Sequence, residues 1–503
     1  MKTLEAKKSQ ENALQQREEA EKAKAEALAN ESLALISKEE AKKAQILAEK
    51  AEKSALDNLR TAKKNAELAR IEASRANTAL NESEKSKQEA FKEKQNAEKQ
   101  EKKATELSYL ATAQNLAIKS GFRTNDPELQ SLMALQSYYF NKDNNGDIQD
   151  PIIFEALNNA KKNYLKDEIV LNVTSEQRAM KISQNGKELL SSDRMGTFYK
   201  FDISENNSLV KKQMGRLEEN EFNLIESSSN KSISVSPKGL LSHWDLSEIS
   251  KPKLLKTVTA HSGVVREIVV VPETNPLIIS AGKDSTITIL NYEDFKVRHT
   301  IKINFFVKDI EVDVNLKAAI ILTENGKLHK LNYETGEILS LDNSIDLNGK
   351  ISCIKINSKK SEFIAGFEDG KLKVMSLSNV LKNVFTAKLV LNEFKSTIEI
   401  IELNLSNSKM AVSASDKSLK YFDVNKNYAK PIQLKNNSAK VRSIAFTNED
   451  NLWVSYSDRT IRYYEISAEN IAKNLCQALK RNFTEKEWLE IVSSELPYEK
   501  TCK

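Results

Sequence analysis

Few residues in the chain have the types and spacing that catalysis or metal binding requires. The sequence has four histidines and three cysteines, and no cluster among them has the spacing of zinc ligands. The strings nearest to a phosphate-binding loop, residues 185–188 and 281–284, lack both its spacing and its Ser or Thr. A caspase-type thiol motif and a G-x-S-x-G elbow are also absent. We therefore expect no catalytic residue, no cofactor and no metal site.

An enzyme hypothesis has to rely on His261 and Asp284. The chain would then be an enzyme such as a hydrolase or a lyase. Turnover by the intact chain, lost when either residue is substituted without loss of folding, would support that hypothesis. We expect structural roles for both residues instead. The other histidines, His243, His299 and His329, stand singly and are interpreted as ordinary strand or loop residues.

Composition and charge limit the classes of partner and the compartment. Lys plus Arg number 76 and Asp plus Glu 71 among 503 residues, so the formal charge of +5 gives no electrostatic argument for nucleic acid. Cys353, Cys476 and Cys502 cannot form a disulfide framework, which favours a reducing compartment. No apolar run is long enough for a membrane span and no signal peptide is visible. We expect a cytoplasmic protein.

Residues 1–118 have the composition of one long helix. No glycine or proline precedes Gly121, and Ala, Glu, Lys and Gln dominate. In rows of eleven from residue 4, seven of the eight residues in the last column are apolar. That column is Leu14, Ala25, Ile36, Leu47, Asn58, Ala69, Leu80 and Phe91. An eleven-residue period predicts a nearly straight or weakly right-handed coiled coil.

The apolar stripe of this helix is thin, with many alanines and few leucines, so we expect weak or conditional self-association through residues 1–118 into a dimer or trimer. The alternative is a single solvated helix held by pairs of Glu and Lys four residues apart. Because the pattern fades after Phe91, a hinge is expected there.

A short connector, residues 119–167, follows the long helix. Two segments begin with Asp126-Pro127 and Asp150-Pro151, where aspartate can cap a helix and proline suits its first turn. Their apolar spacing predicts two helices packed as a hairpin. Tyr138, Tyr139 and Phe140 are interpreted as core residues rather than a ligand platform.

Residues 168–467 are rich in short β-type runs separated by turn residues. The clearest unit, residues 257–291, has a strand after His261-Ser262-Gly263, a second strand, a turn at 282–284, and a third strand ending at Leu290-Asn291. This unit resembles the WD repeat, a four-stranded blade of a β-propeller with Gly-His near its start and Trp-Asp at its end.

Six further segments match the end of this third strand, at intervals of 41 to 47 residues. The seven marks are Phe201-Asp202, Trp244-Asp245, Leu290-Asn291, Leu331-Asn332, Met375-Ser376, Phe422-Asp423 and Tyr464-Glu465. A tight turn recurs before each third strand, at 192–196, 236–239, 281–285, 323–326, 367–370, 414–418 and 456–460. Seven matches in register predict a seven-bladed propeller.

The ends of the propeller are predicted to close on each other. The segment 168–173 is an extra strand before the first complete blade, and the last blade has no fourth strand of its own. The first strand should therefore complete the last blade and leave no open edge. By resemblance to the WD repeat, His261, Ser280 and Asp284 occupy three places of a buried hydrogen-bond network. The fourth place, a Trp in the family, is Leu290 here, so the network should be incomplete.

The tail, residues 468–503, is predicted to be helical and to pack on the propeller. Thr484 and Glu487 form a capping box ahead of Trp488. The tail is similar to the ending of a group of bacterial WD-repeat proteins at five places: Leu475-Cys476, residues 482–484, Glu487-Trp488, Pro497-Tyr498 and Thr501-Cys502. The connector at Asp126 to Leu129 is similar as well. Cys476 and Cys502 either bridge or remain thiols, and a reducing compartment favours thiols.

The resemblance implies a function in protein interaction. In such proteins an effector or switch domain, such as a caspase-like protease, a TIR domain or a STAND-type NTPase, often precedes the coil. The leading hypothesis is a non-enzymatic scaffold in which the top face and rim of the propeller bind other proteins. The alternative is a sensor or regulatory subunit of a bacterial STAND-like signalling or defence system whose effector is encoded separately.

Overall fold

The structure is a computed structural model that divides into two compact units, a helical unit formed by Met1–Lys166 with Ala468–Lys503, and a β unit formed by Asp167–Ser467. The residues that it describes are 2–76, 83–166, 169–182, 187–193, 196–203, 209–216, 225–228, 231–248, 250–341, 347, 349–434, 438–447 and 451–502. None of the helices in these ranges is both long enough and apolar enough to cross a membrane.

Two helices form the first part of the helical unit, where the sequence predicted one rod. Helix α1 spans Lys2–Ala76 and helix α2 spans Ser83–Ser120. The two helices pack along each other, so α2 runs back along α1. The expected hinge after Phe91 is wrong, because α2 continues through that position, whereas the predicted end of the helix before Gly121 is confirmed.

The residues buried between α1 and α2 repeat every seven positions. Ala48, Ala55 and Ala62 of α1 are at most 2% exposed, and the matching residues of α2 are Ala97, Ala104 and Ala111. Pairing 62 with 97, 55 with 104 and 48 with 111 places the two members of each pair equally far along the chain from the midpoint of residues 77–82, as an antiparallel helix pair requires. Where α2 covers α1, the buried positions follow a period of seven rather than the predicted eleven, and Leu47 of the eleven-residue column is 66% exposed. The eleven-residue face in the rest of α1 stays a prediction.

The seven-residue repeat is present in the sequence without interruption. Alanine stands at every seventh position of α1 from residue 6 to residue 76, namely at 6, 13, 20, 27, 34, 41, 48, 55, 62, 69 and 76. A strict seven-residue repeat favours left-handed supercoiling rather than the right-handed form expected from eleven. Small side chains at the seam let two helix axes approach at the short end of the usual 8–10 Å range.

The connector hairpin forms as predicted. Helix α3 spans Pro127–Asp143 and helix α4 spans Pro151–Ala160, followed by a π-helical turn, Lys161–Leu165. Asp126 accepts a hydrogen bond from the N–H of Leu129, and Asp150 accepts from the N–H groups of Ile152 and Ile153. Tyr138 and Phe140 are buried, while Tyr139 is half-buried.

The β unit is a seven-bladed propeller, as the sequence predicted. Six four-stranded antiparallel blades follow one another along the chain. Blade 1 contains β2 (Gln177–Ile182), β3 (Glu188–Asp193), β4 (Thr197–Ile203) and β5 (Leu209–Arg216). Blade 2 contains β6 (Ile225–Ser228), β7 (Lys231–Val235), β8 (Leu240–Asp245) and β9 (Lys253–Thr259). Blade 3 contains β10 (Val265–Val271), β11 (Leu277–Gly282), β12 (Thr286–Asn291) and β13 (Val297–Lys302).

The next three blades have the same order. Blade 4 contains β14 (Val307–Asp313), β15 (Ala318–Thr323), β16 (Leu328–Asn332) and β17 (Glu337–Leu341). Blade 5 contains β18 (Ile351–Asn357), β19 (Glu362–Phe367), β20 (Leu372–Ser376), the short helix α5 (Leu377–Val380) and β21 (Ala387–Leu391). Blade 6 contains β22 (Ile398–Leu403), β23 (Lys409–Ala414), β24 (Leu419–Asp423) and β25 (Ile432–Leu434).

Blade 7 closes the ring. It contains β26 (Val441–Phe446), β27 (Leu452–Tyr456) and β28 (Thr460–Tyr464), and its fourth strand is β1 (Val170–Asn172). Leu171 pairs with Ile461 in an antiparallel ladder. The predicted closure is thus confirmed, although Glu168 lies outside the described residues. The first strand of each blade contacts the first strands of its two neighbours, from β2 through β26 and back to β2.

The tail belongs to the helical unit, and its predicted packing on the propeller stays a prediction. Helix α6 (Ala468–Ala478) lies against α3 and α4 and buries Ile471, Ala472 and Leu475 there. Helix α7 (Glu485–Glu487) follows, then a π-helical turn, Trp488–Val492. The predicted capping box of Thr484 and Glu487 is confirmed.

Two cysteines of the tail are joined, contrary to the preference for thiols. Cys476 on α6 forms a disulfide with Cys502, 26 residues later in the chain. Cys353 is free and buried on β18, and burial raises the pKa of its thiol. The sequence could not decide the pairing, because it did not show that the end of the tail folds back on α6.

Candidate interaction face of the propeller

One end of the propeller, here called the loop face, combines two sets of loops. The first set is the turns between the second and third strands, and the second is the segments that lead into the first strands. In five blades a backbone hydrogen bond joins the two sets. These bonds run from Lys283 to Val264, Glu324 to Phe306, Glu368 to Lys350, Ser415 to Thr397 and Ser457 to Lys440, with the first residue donating.

The turns of the loop face share one backbone feature. The residue that ends each turn has a positive φ of 60–86°. These residues are Gly196, Gly239, Ser285, Gly326, Gly370, Lys417 and Arg459. At Gly239 a side chain is excluded for a second reason, because an added Cβ would lie 2.0 Å from the carbonyl oxygen of His261.

A cation stands in or beside every one of these turns that the structure describes fully. This basic ring consists of Lys238, Lys283, Lys327, Lys371, Lys417 and Arg459. Lys371 pairs with Asp369. The other five are exposed and make no ion pair with the described residues. Arg194, at the same place in blade 1, lies outside the described residues.

Two glutamates near the ring form ion pairs with neighbouring cations. Glu324 pairs with Arg266 at 2.7 Å, which joins blade 4 to blade 3, and Glu368 pairs with Lys350 at 2.8 Å. Phe306, whose carbonyl accepts from the Glu324 N–H, is 46% exposed. The loop face therefore presents cations that make no ion pair with the described residues, together with the exposed side chain of Phe306 in the segment before blade 4.

The predicted His261, Ser280 and Asp284 come together beneath this face. The Nε2 atom of His261 lies 2.9 Å from the Ser280 hydroxyl, and its Nδ1 atom lies 3.2 Å from an Asp284 oxygen. The sequence did not indicate Thr286, whose hydroxyl lies 2.9 Å from the same Nδ1 atom and donates to Asp284. The predicted gap is present, because Leu290 is an apolar, fully buried residue.

Burial decides what this network can do chemically. Burial lowers the pKa of His261 and outweighs the nearby charge of Asp284, so the imidazole is neutral. Burial acts to raise the pKa of Asp284, but the Ser262 N–H and the Thr286 hydroxyl outweigh it and hold the pKa below its usual value. Ser280 has no exposed surface, so its hydroxyl cannot reach a substrate. The arrangement fits a structural role in tying the turn to the first strand.

Replacing His261 with alanine should therefore affect stability. We expect the free energy of unfolding of the propeller to fall by about 2 kcal/mol, because the buried Ser280 hydroxyl and the half-buried Thr286 hydroxyl lose their partner. His299→Ala is the matched control, since His299 makes one hydrogen bond, to the Glu334 carbonyl. Urea denaturation followed by tryptophan fluorescence gives both values. Equal losses for the two variants would contradict the assigned role of His261.

The blade-end residues lie at the opposite end of the third strands from the basic ring. Asp245 accepts from Ser247 and Asp423 from the N–H of Asn425, so both acids hold the turn that follows the strand. Asp202 is half-buried near the end of β4. Trp244 is buried and donates from Nε1 to Ser234 at 2.8 Å. Blade 2 thus contains a hydrogen bond between Trp244 and Ser234, whereas blade 3 has Leu290 in place of the tryptophan.

A charged cluster on three neighbouring first strands was also not predicted. The ammonium of Lys355 lies 3.1 Å from both Glu311 and Glu402, and these side chains are only 18–31% exposed. Burial raises the pKa of Glu311 to about 7, against the opposing effect of Lys355. The two carboxylates outweigh the effect of burial on Lys355 and raise its pKa, so it stays charged. This cluster joins blades 4, 5 and 6.

Removing the cation of this cluster should destabilise the propeller in a pH-dependent way. Lys355→Met leaves two carboxylates without a partner, and we expect a loss of about 2 kcal/mol at pH 8. The pKa of Glu311 is raised in the folded state. Its contribution to the free energy of unfolding is therefore complete below its ordinary pKa of 4.5 and is lost as the pH rises through about 7. The loss should therefore shrink at pH 5. Urea titrations at both pH values test this, with exposed Lys302→Met as control; a pH-independent loss would contradict it.

The rim of the propeller carries single exposed apolar residues on its outermost strands. They are Leu254 and Leu255 on β9, Val297 on β13, Leu339 on β17 and Val390 on β21. They are distributed over four blades, so the described part of the rim offers no concentrated apolar anchor. Within the described residues no group of three or more His, Cys, Asp or Glu side chains could hold a metal ion.

The comparison with known families agrees with the fold. Residues 280–485 match a family model for the N-terminal domain of nucleolar protein 10-like proteins, which is a β-propeller domain. The match runs from β11 through the last propeller strand and into the tail, and covers less than half of the chain. No curated protein matches the sequence.

Proposed function

We propose that this protein is a non-enzymatic interaction scaffold whose propeller binds an acidic segment of a partner protein across the loop face. The main observation that supports this function is the basic ring. The ring places one cation at each fully described turn, five of them exposed and without an ion pair to the described residues, and Phe306 is exposed on the same face in the segment that leads into blade 4. An acidic segment with an apolar side chain would complement both features, since charge complementarity guides association and a buried aromatic anchor contributes affinity.

A protein partner fits the loop face better than nucleic acid does. Acidic side chains such as Glu324, Glu368 and Asp416 separate the cations, so the described loop face offers no continuous basic track for a phosphate backbone, whereas a peptide can place its acidic side chains at the separate cations. Binding of single strands also relies on several aromatic stacking surfaces. Phe306 is the exposed aromatic side chain that the described part of the loop face offers near the ring.

The helices of residues 1–118 are proposed to bring copies of the chain together. Two or more propellers in one assembly would bind a multivalent partner through avidity, without any new contact. The compartment is proposed to be oxidising rather than cytoplasmic, since structural disulfides such as Cys476–Cys502 are typical of oxidising compartments.

Charge reversal at the ring tests the proposed function. The probe is a fluorescent peptide of alternating glutamate and leucine, measured by anisotropy with the full chain at two salt concentrations. Changing Lys238, Lys283, Lys327, Lys417 and Arg459 to glutamate should weaken binding more than tenfold, and salt should weaken binding to the unmodified chain. Phe306→Ala should weaken it several-fold.

The matched control changes five exposed lysines at the opposite end of the strands. They are Lys251, Lys296, Lys359, Lys382 and Lys426, each replaced by glutamate. This control variant has the same net charge as the ring variant and should bind the probe nearly as well as the unmodified chain does. Equal binding by the ring variant, or tighter binding of single-stranded DNA than of the peptide, would overturn the proposal.

A further inference from the structure

The alanine repeat of α1 continues beyond the part of the helix that α2 covers. In the register of the buried pairs, Ser120, the last residue of α2, lies opposite residue 39. Residues 2–38 of α1 therefore have no α2 residue beside them. We call them the α1 overhang. At 1.5 Å per residue the overhang is about 55 Å long.

The same repeat positions are buried in one half of α1 and exposed in the other. Ala55 and Ala62 are at most 1% exposed against α2, whereas Ala13, Ala20 and Ala27 are exposed. The residue that follows each of these alanines shows the same difference in exposure between the two halves of α1. Leu56 is half-buried where α2 covers it, but Leu14 and Leu28, at the same heptad place, are 63% and 57% exposed.

We propose that the α1 overhang pairs with the overhang of a second copy of this chain, antiparallel, with Ala20 on the twofold axis. This proposal deepens the proposed self-association by naming its residues and register. In such a symmetric interface residue i contacts residue j and j contacts i, so Ala13 of one copy lies opposite Ala27 of the other. In this register residue 2 of one overhang lies opposite residue 38 of the other, so the two overhangs pair along their whole length.

A second copy of the overhang fits the uncovered face of α1 because it continues the seam between α1 and α2. That seam shows how this repeat packs, with alanine opposite alanine on antiparallel helices. A second overhang offers the same alanines at the same spacing, so it extends the packing without a change of pattern. Charge also permits it, because residues 2–38 contain seven acidic and seven basic side chains.

Single cysteines test the register directly. Cys353 is buried and the other two native cysteines are bridged, so an introduced thiol is the reactive one. Under mild oxidation of the full chain, Ala20→Cys should form a disulfide-linked dimer. Ala13→Cys and Ala27→Cys should each remain mostly monomeric alone and should cross-link to each other when mixed. Self-cross-linking of Ala13→Cys as efficient as that of Ala20→Cys would indicate parallel helices and overturn the proposal.

The mass of the assembly gives a second readout that does not depend on cross-linking. Light scattering at tens of micromolar should show a dimer for the unmodified chain and a monomer for the double variant Leu14→Glu, Leu28→Glu. The matched control is Leu316→Glu with Leu405→Glu, two exposed leucines of the propeller, which should remain dimeric. A monomeric unmodified chain would overturn the dimer but leave single-site peptide binding by the propeller intact, so the two proposals fail separately.

Discussion

Replacing Trp488 with alanine is expected to lower the free energy of unfolding of the helical unit by about 3–5 kcal/mol. Trp488 is 1% exposed, and its ring meets those of Phe140, Phe483 and Tyr498 edge-on at 5.9, 6.1 and 5.4 Å. Its Nε1 donates to the Leu496 carbonyl. The substitution removes the centre of an aromatic cluster that joins α3 to the tail, and it leaves a cavity.

The three tryptophans allow the two units to be followed separately. In the Trp488→Ala variant the remaining tryptophans, Trp244 and Trp453, both lie in the propeller. Their fluorescence should report an unchanged urea midpoint, while far-UV circular dichroism should report early loss of helix. Leu489→Ala is the control, since Leu489 is 59% exposed and adjacent. If Leu489→Ala cost as much helix stability as Trp488→Ala, the cluster would not be the source of stability.

Removing the tail disulfide is expected to cost about 3 kcal/mol. The bridge between Cys476 and Cys502 closes a loop across 26 residues, and the loss follows from the greater freedom of the unfolded chain. In the double variant Cys476→Ser, Cys502→Ser the end of the tail keeps other contacts. Thr501 still donates to Gln136, and the Cys502 N–H to Asn482. The tail should therefore stay in place in the folded variant but unfold at lower urea.

A reductant provides the control for this prediction. Dithiothreitol should lower the urea midpoint of helix loss in the unmodified chain to that of the double variant, and it should leave the double variant unchanged. Under non-reducing denaturation one thiol per chain, that of Cys353, should react with a thiol reagent. Three reactive thiols per chain would contradict the disulfide.

The propeller could be predicted because its signals are local and repeated. Each blade supplies its own tight turn and its own third strand, so seven weak matches combine at intervals of 41 to 47 residues. The closure by β1 also followed from the sequence, since one strand was left over at the start and one was missing at the end. The helix caps at Asp126 and Asp150 depend on adjacent residues and were predicted for the same reason.

The helical seam was misassigned because alanine is too common in residues 1–118 to reveal its period by apolar columns alone. The eleven-residue column collected Leu14 and Leu47, which are exposed. The seven-residue alanine repeat was present but was outweighed by these larger side chains. The segment between α1 and α2, residues 77–82, contains neither glycine nor proline.

The candidate site was predicted only in part. The turns that carry the basic ring were found, but their cations were not compared across blades, and the small net charge concealed them. Thr286 and Ser234 are short hydroxyl residues whose role depends on the partner across the blade. Lys355, Glu311 and Glu402 lie on three different blades, so their contact depends on the closed ring and has no signature in any one segment.

The closing strand has a consequence for how the chain is made. Asn172 of β1 pairs with Thr460 of β28, and 288 residues separate them. At about 5–20 residues per second a ribosome needs roughly 15–60 s to synthesise that stretch. During this time β1 has left the ribosome without its partner, and the first blade stands beside an open gap. The ring can close only after synthesis of blade 7, so the last step of folding joins one of the oldest parts of the nascent propeller to the newest.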